Sequence, residues 1–273
     1  MKYLGRIIFY FFLVVIPLSL WTAGQGTQIS FSDFFNSLTT LGKIVGVVGV
    51  SFFAGNIFLS GRYKIFDKLF YGLDRVYLFH RETGITAFIL LTLHLVFMTL
   101  RNLQFSFQEV INFTLDVSNI PVLMGRIAYY GLFIIIGITL YIRIKYERLK
   151  AIHMCMGLFL FFGGLHVFLI PSDVAINIYL RWYILILIGA AFISYLIRSP
   201  LKRWLVPRIK AEVIAVNDLG GNVTEVIMRP LQGKISFIPG QFIFVRFRQK
   251  GFPYEDHPFS LTAGVAEETL RIS

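Results

Sequence analysis

HRETGITAFILLTLH, residues 80–94, is a largely apolar run with a histidine at each end. The run has the character of a membrane-spanning helix, where an imidazole is costly and needs a partner or a task. On an ideal helix His80 and His94 differ by about 40° in azimuth and lie about 21 Å apart, so they share a face. The chain has five histidines. Two more, His153 and His166, stand in another apolar run.

Composition defines the setting of this run. The 273 residues are 56% hydrophobic and 16% aromatic, with a formal net charge of +11 and a mean hydropathy of +0.70. These values exclude an ordinary soluble domain and indicate a helical membrane protein with several spans. The basic residues fall between the apolar runs, so we expect no nucleic-acid partner. The single cysteine, Cys155, excludes an intrachain disulfide.

Six apolar runs are long enough to cross about 30 Å of hydrocarbon, which predicts an all-α transmembrane bundle over 1–200 in contact with the lipid bilayer. The predicted helices are 5–22, 43–60, 76–100, 124–142, 151–170 and 179–197. Pro17 interrupts the first run. A signal peptide is an alternative for that run, although no A-x-A site follows it.

The charged loops orient the predicted bundle. Most basic residues fall on one side: Lys2, Arg6, Arg62, Lys64, Lys68, Arg75, Arg143, Lys145, Arg148, Lys150, Arg198, Lys202 and Arg203. The opposite side has only Lys43, Arg101, Arg126 and Arg181. The positive-inside rule therefore predicts a multi-pass cell-membrane protein with both termini in the cytoplasm. The longest outer loop, about 101–123, is expected to be a solvated cap.

The sequence changes character after Pro200. Short runs rich in β-branched and aromatic residues alternate with Gly, Asn and Pro breaks, which predicts an antiparallel β domain over 201–273. About 65 residues are few for a closed barrel with its own core, so we expect only the first part of such a domain. The chain is accordingly expected to be a truncated piece of a longer protein.

The four membrane histidines form two predicted pairs. Given the topology, His80 and His153 lie at one depth, and His94 and His166 lie at another. One histidine from each of two helices is what bis-imidazole ligation of haem requires, so two haems are predicted in the bundle. Gly84, Gly157 and Gly163 lie near these histidines and are expected either to make room for the large flat ring of a haem or to serve close helix packing.

One feature of the fifth helix resists this interpretation. The 13-residue separation of His153 and His166 leaves them about 140° apart in azimuth on an ideal helix. Either Gly163 and Gly164 distort the helix, or the two haems meet the helix on different sides.

Three other interpretations of the histidines stay open. They could be unrelated residues that form interhelical hydrogen bonds. They could form a proton relay or transport path, although Glu82 is the only carboxylate in a predicted span. A zinc site is disfavoured because the pairs are too far apart to share one metal.

Two cytoplasmic motifs make the sequence resemble a known family. PGQF, residues 239–242, precedes YEDHPFSLTAG, residues 254–264. Together with the H-x13-H and H-x12-H spacings, these motifs are similar to those of the NADPH oxidase and ferric reductase superfamily. The resemblance implies a six-helix dihaem domain followed by an FAD-binding domain like that of ferredoxin–NADP reductase. We expect the nicotinamide domain of that family to be absent from this chain.

The resemblance also implies roles for individual residues. His80 and His153 would ligate the iron of the inner haem b, and His94 and His166 that of the outer one. The FAD site would be lined by His257, Pro258, Phe259 and Ser260. Arg101 could contact the outer haem or the acceptor, or simply lie at the membrane interface.

The implied activity is electron transfer from cytosolic NADPH or NADH, through FAD and two haems, to an external acceptor. Oxygen is the expected acceptor, with superoxide as product, in a prokaryotic-type NADPH oxidase that needs no obligate protein partner. Without the nicotinamide domain, the chain alone is not expected to turn over. The alternatives are a ferric-chelate reductase, a dihaem electron-transfer subunit that serves a periplasmic enzyme, and a transporter that has no haem.

Overall fold

The computed structural model describes residues 3–24, 29–201, 208–233, 242–249, 257–262 and 269–273. The chain forms two compact units, Met1–Leu205 and Val206–Ser273. Several residues used above lie outside the described ranges: Lys2, Lys202, Arg203, 239–241, 254–256 and 263–264.

Six helices of the first unit are long and apolar enough to cross a membrane, which confirms the predicted fold class. These are Leu4–Ala23, Phe34–Leu59, Leu73–Gln104, Ile120–Tyr141, Tyr146–Leu169 and Ile178–Arg198. We call them the first to sixth spans. Shorter helices in the connections are Lys64–Phe70, Phe107–Leu115 and Asp173–Ile176. The connection that was expected to be a solvated cap therefore contains a helix.

The second span begins at Phe34, nine residues before its predicted start. Asp33 is the N-cap, and its carboxylate accepts a hydrogen bond from the backbone N–H of Asn36 at 2.9 Å. That hydrogen bond lowers the pKa of Asp33. Polar residues between the cap and the apolar run interrupt the hydrophobic pattern, so the first turns were not predicted. With these turns included, Lys43 lies inside the helix and not at its start.

Two spans depart from regular α-helix. A π-helical stretch, Phe11–Val15, precedes Pro17 in the first span. Proline has no backbone N–H and disturbs the ladder of the preceding turn, which accounts for the bulge at this place. The fifth span consists of two helices, Tyr146–Met154 and Met156–Leu169, that meet at Cys155.

The second span forms the centre of the bundle. Fourteen of its residues from Thr40 to Leu59 are buried, whereas the third span buries only four. The second span packs closely on the third and the sixth, and the fourth packs closely on the fifth. Among the described helices, the third and fifth spans do not form a closely packed pair. A gap between the two histidine-bearing helices is therefore part of the fold.

The second unit contains five described strands. The strands are β1 Ala211–Asp218, β2 Thr224–Pro230, β3 Phe242–Val245, β4 His257–Ser260 and β5 Leu270–Ile272. An antiparallel sheet has the order β1-β2-β5, and β3 pairs with β4 in a second antiparallel sheet. A small core of Met228, Leu261, Leu270 and Ile272 joins the two sheets. This sheet region fits a partial FAD-binding domain.

Candidate functional site

The fold brings the four membrane histidines together as two pairs. The ring centroids of His80 and His153 are 6.3 Å apart, and those of His94 and His166 are 6.5 Å apart. We call these the 80/153 pair and the 94/166 pair. Each pair takes one ring from the third span and one from the fifth. The predicted pairing therefore describes the observed positions of the rings.

The break at Cys155 accounts for the 13-residue spacing in the fifth span. The Cys155 N–H donates to Ile152 O at 3.0 Å, and the Leu158 N–H donates to Cys155 O at 2.9 Å. Such i→i+3 bonds wind the chain more tightly than an α-helix does, so the second half restarts with a different rotation. Gly163 and Gly164 lie inside the continuous helix Met156–Leu169. The distortion is therefore at Cys155 and not at the glycine pair.

Backbone carbonyls hold three of the four rings. The Nδ1 atom lies 3.1 Å from Asn56 O in His80, 2.8 Å from Gly42 O in His94 and 2.7 Å from Pro121 O in His166. A carbonyl oxygen can only accept, so each Nδ1 carries the proton and donates. The Nε2 lone pair of each ring is then free to bind a metal, and the carbonyl fixes the ring orientation.

His153 differs from the other three histidines. Within the described part of the chain, its ring makes no hydrogen bond that corresponds to these carbonyl contacts. His153 is also exposed and is the last residue but one of its helix, directly before the break at Cys155. The 80/153 pair is consequently held from one side, whereas the 94/166 pair is held from both.

The histidine geometry fits a haem. Two imidazoles on opposite sides of one iron have centroids about 6 Å apart, since a metal–nitrogen bond is about 2 Å and each nitrogen lies about 1 Å from its ring centre. Both observed separations are close to this value. Among the described residues, no group of three or more His, Cys, Asp or Glu could hold a metal ion. A two-imidazole donor set suits an iron whose other ligands come from a macrocycle.

Two glycines that the sequence analysis did not single out make room for the 94/166 pair. A Cβ on Gly46 would lie 2.5 Å from Nδ1 of His94, and one on Gly125 would lie 2.8 Å from Nδ1 of His166. Any side chain there would displace the ring. The Gly42-x-x-x-Gly46 spacing in the second span is the sequence signal that could have identified this contact.

The glycines that were predicted from the sequence have other neighbours. A Cβ on Gly84 would lie 3.2 Å from Nδ2 of Asn56, and one on Gly157 would overlap the ring of Tyr195. Gly163 has only Ala128 nearby, with 3.8 Å between the Cβ positions. Gly84 and Gly157 therefore lie against side chains of neighbouring spans, as the helix-packing alternative predicts, and room for a haem at these glycines stays a prediction.

A buried polar cluster supports His80. The Asn56 amide nitrogen donates to His80 O and, at 2.9 Å, to Thr83 Oγ1. Asn56 and Thr83 are both buried. Asn56 thus makes two hydrogen bonds to the histidine. Its backbone carbonyl accepts from the His80 ring, and its side-chain amide donates to the His80 backbone carbonyl. This double contact fixes the second span against the third at the level of the 80/153 pair.

A cavity of about 280 Å³ is lined in part by Leu95, which follows His94 in the chain, and by Arg126, which follows Gly125. Its lining is mainly apolar and consists of Leu95, Val96, Thr99, Leu100, Phe113, Thr114, Arg126 and Tyr130. Arg126 is 7% exposed and donates to Thr114 O at 2.7 Å and to Asp116 O. Its buried Nε has no hydrogen-bond partner among the described residues. Arg126, which directly follows Gly125, is therefore the buried cation of this region.

Arg101 lies outside the cavity that Arg126 lines. Arg101 begins the 3-10 turn Arg101–Gln104 at the end of the third span, and it is not part of the cavity lining. The side chain is half-buried. Arg101 is thus seven residues beyond His94, while the buried Arg126 lines the cavity.

The described end of the PGQF motif, Phe242, and the HPFS motif meet in one sheet. Strand β3, which contains Phe242 of PGQF, pairs with β4, which is HPFS, in the register Phe242↔Ser260 to Val245↔His257. Side chains alternate along a strand, so Pro258 and Ser260 share one face and His257 and Phe259 the other. Phe259 packs against the small core, whereas His257, Pro258 and Ser260 are exposed. The implied FAD residues are therefore contiguous, but they face two ways.

Comparison with known families identifies both units. The ferric reductase like transmembrane component matches 45–164, and an FAD-binding domain family matches 208–273. No curated protein matches the chain. The chain has the architecture of the NADPH oxidase and ferric reductase superfamily. This architecture supports transmembrane electron transfer by a membrane oxidoreductase with an FAD-binding domain.

Proposed function

We propose that this chain carries electrons across the cell membrane from FAD to an acceptor on the far side, with O₂ as that acceptor and superoxide as the product. The observation that carries this proposal is the pair of two-imidazole sites, one at each end of the apolar stretch 80–94. Both chain termini lie in the cytoplasm, so the 80/153 pair is on the cytoplasmic side and the 94/166 pair on the outer side.

Four residues would hold the haems. His80 and His153 would ligate one b-type haem iron, and His94 and His166 would ligate the other. The haem irons, when bound, supply one-electron redox centres, and FAD would convert a two-electron nicotinamide donor into one-electron steps. The carbonyls of Asn56, Gly42 and Pro121 keep Nε2 unprotonated, which makes each ring a competent ligand before metal arrives.

The exposed residues of β4 would contribute to the FAD site. Ser260 can donate a hydrogen bond to a flavin ring atom, and Pro258 lies on the same face of the strand. His257 offers a polar contact on the opposite face, and Phe259 supports the strand from the core. NADPH or NADH would supply the electrons.

The cavity lined by Leu95 and Arg126 is the acceptor site in this proposal. Its apolar walls suit a small neutral molecule such as O₂, and the guanidinium of Arg126 would stabilise a negative charge formed there. If His94 and His166 both held the haem iron, neither ligand would leave room on the metal for the acceptor, which would take up its electron without binding to iron. We assign Arg101 only to the membrane interface.

A reconstitution experiment tests the proposal without a nicotinamide donor. Haem-loaded protein in sealed liposomes is given chemically reduced FAD outside and cytochrome c inside. We expect internal cytochrome c to be reduced only when the protein is present, and superoxide dismutase inside the vesicles to abolish that reduction. Reduction that persists with dismutase would mean direct transfer, and no reduction would contradict transmembrane transfer.

Ferric-chelate reduction is the second candidate, because the family that matches the transmembrane unit is described as ferric reductase like. The same liposomes, prepared without oxygen and loaded with a ferric chelate and a ferrous indicator, measure it. If iron is reduced faster than superoxide forms, the ferric chelate and not O₂ is the acceptor. If the protein reduces neither O₂ nor the ferric chelate, the result would favour a dihaem subunit that delivers electrons to a separate enzyme.

A further inference from the structure

A buried ion pair lies one residue away from the carbonyl that holds His94. Lys43 Nζ is 2.9 Å from Asp173 Oδ1, and the two side chains are 21% and 9% exposed. The indole N–H of Trp21 donates to the other oxygen of Asp173, Oδ2, at 3.0 Å. Trp21 is 2% exposed. Both carboxylate oxygens are thus occupied by partners from two different spans.

These three residues connect separate parts of the bundle at one level. Trp21 is near the end of the first span, Lys43 is in the second span, and Asp173 begins the short helix that follows the fifth span. A neighbouring contact joins the same regions, since the amide of Asn177 donates to Leu20 O at 2.6 Å. The segment of the second span that contains Gly42 is therefore tied, through Lys43 and Asp173, to the end of the first span.

The position of this cluster matters because of what Gly42 does. Its carbonyl accepts the Nδ1–H of His94 at 2.8 Å. Lys43 follows Gly42 directly, and Asp173 follows His166 by seven residues. A shift of the second span along its axis would change the distance from His94 Nδ1 to Gly42 O, because Gly42 moves with that span.

We propose that Lys43, Asp173 and Trp21 are positioning residues, which hold the Gly42 carbonyl against His94 and so set the redox potential of the haem at the 94/166 pair. This inference rests on the proposed function, because it assumes that His94 ligates a haem. A strong hydrogen bond from Nδ1–H makes an imidazole a more basic ligand and stabilises the oxidised iron. Weakening that bond therefore raises the potential.

The substitution Lys43→Met separates positioning from direct electrostatics. Loss of positioning raises the potential of the haem at the 94/166 pair. Direct electrostatics predicts the opposite sign, because loss of a cation beside an unchanged Asp173 leaves a net negative charge that disfavours reduction. The substitution Lys43→Arg retains the ion pair and serves as the conservative rescue.

The experiment is a potentiometric titration of the haem-loaded protein, followed by its optical and low-spin electron paramagnetic resonance spectra. We expect Lys43→Met and Trp21→Phe to raise the potential of the same haem, with Lys43→Arg close to wild type. Glu82→Gln breaks the exposed Arg6–Glu82 ion pair, which is 3.0 Å long, and is the matched control. It is expected to leave the 94/166 haem unchanged.

Each result decides the question. A lowered potential in Lys43→Met would overturn positioning in favour of direct electrostatics, and an unchanged potential would overturn any role for the cluster at this haem. An equal shift in Glu82→Gln would reveal a general loosening of the bundle and would also overturn the inference. Wild-type protein that binds no haem would instead refute the proposed function, so the two failures are distinguishable. If Lys43→Met does not fold, Trp21→Phe, which changes no charge, still tests the predicted rise.

Discussion

The two histidine pairs have the same ligand types and nearly the same ring separation, 6.3 and 6.5 Å, but different support. At the 94/166 pair both rings donate to carbonyls from the second and fourth spans, and both rest on glycines of those spans. At the 80/153 pair His80 has such a carbonyl, and no residue that the structure describes supplies one to His153. Its partner His153 is next to a helix break.

The two pairs therefore have the same kind of ligand but differ in how firmly each ring is oriented before a metal binds. A ring that is fixed by a carbonyl is ready to bind before the metal arrives, while an unsupported ring must be ordered on binding. Loss of a supporting contact of this kind typically costs about 10–100-fold in metal affinity. We therefore expect the 94/166 pair to hold its haem more firmly than the 80/153 pair does.

Removal of one ligand should have the largest effect. His94→Ala or His166→Ala should each lower the haem content from two per chain to about one, because a single imidazole remains on that iron. His80→Ala should do the same at the other pair. The pyridine haemochrome assay measures these contents. His257→Ala, in the β domain, is the control and should retain two haems; a variant without His94 that also retains two would exclude His94 as a ligand.

Filling the space at a supporting glycine should have the next largest effect. Gly46→Ala puts a Cβ 2.5 Å from Nδ1 of His94, and Gly125→Ala puts one 2.8 Å from Nδ1 of His166. Both should displace a ring and deplete the 94/166 haem while the other haem stays. Gly137→Ala, on the same span as Gly125, has no atom within 4 Å of the added Cβ and is the matched control. Redox difference spectra distinguish the two haems; equal loss in the Gly137 variant would remove the steric explanation.

Carbon monoxide should discriminate between the pairs. In reduced protein, His153 should be displaced more readily than the three carbonyl-held rings, because no described hydrogen bond retains it at the iron. We expect His94→Ala protein, which keeps only the 80/153 haem, to bind carbon monoxide faster at that haem than His80→Ala protein does at the 94/166 haem. The measurement is stopped-flow spectroscopy. Equal rates at the two intact pairs would show that carbonyl support does not matter.

The smallest effect should come from Asn56→Ala. This substitution removes the hydrogen bonds that the Asn56 side-chain amide donates to His80 O and Thr83 Oγ1. It keeps the backbone carbonyl of residue 56, which accepts from the His80 ring. Loss of a buried hydrogen-bond partner costs about 1–3 kcal/mol. We expect a lower midpoint of thermal unfolding with two haems still bound. Asn102→Ala removes a bond within a single span, to Met98 O at 2.7 Å, and should shift the midpoint less; the reverse order would contradict the support assigned to Asn56.

Local sequence patterns predicted the spans and the histidine pairs because both signals are visible within single segments. Apolar length defines a span, and a histidine inside such a run stands out. The opposite holds for the start of the second span, where the Asp33 cap lies before polar residues that interrupt the apolar pattern. The break at Cys155 likewise has no strong local signal in the sequence. The distortion was predicted at Gly163 and Gly164 instead.

The supporting contacts could not be predicted because they join distant parts of the chain. Gly42 meets His94 across 52 positions, and Lys43 meets Asp173 across 130. Lys43 was interpreted as a loop charge and Asp173 received no interpretation at all. In the β domain, the PGQF and HPFS motifs were recognised separately, but strand pairing was needed to show that Ser260 and Phe259 face opposite ways.

Haem stoichiometry of the wild-type protein tests the central claim most directly. Protein produced with ample haem is purified, and its oxidised and dithionite-reduced spectra are recorded together with the pyridine haemochrome assay. We predict two low-spin b-type haems per chain. Protein without haem, or haem that survives replacement of all four membrane histidines, would contradict the account, and the two pairs would then be helix-packing contacts and not ligand sites.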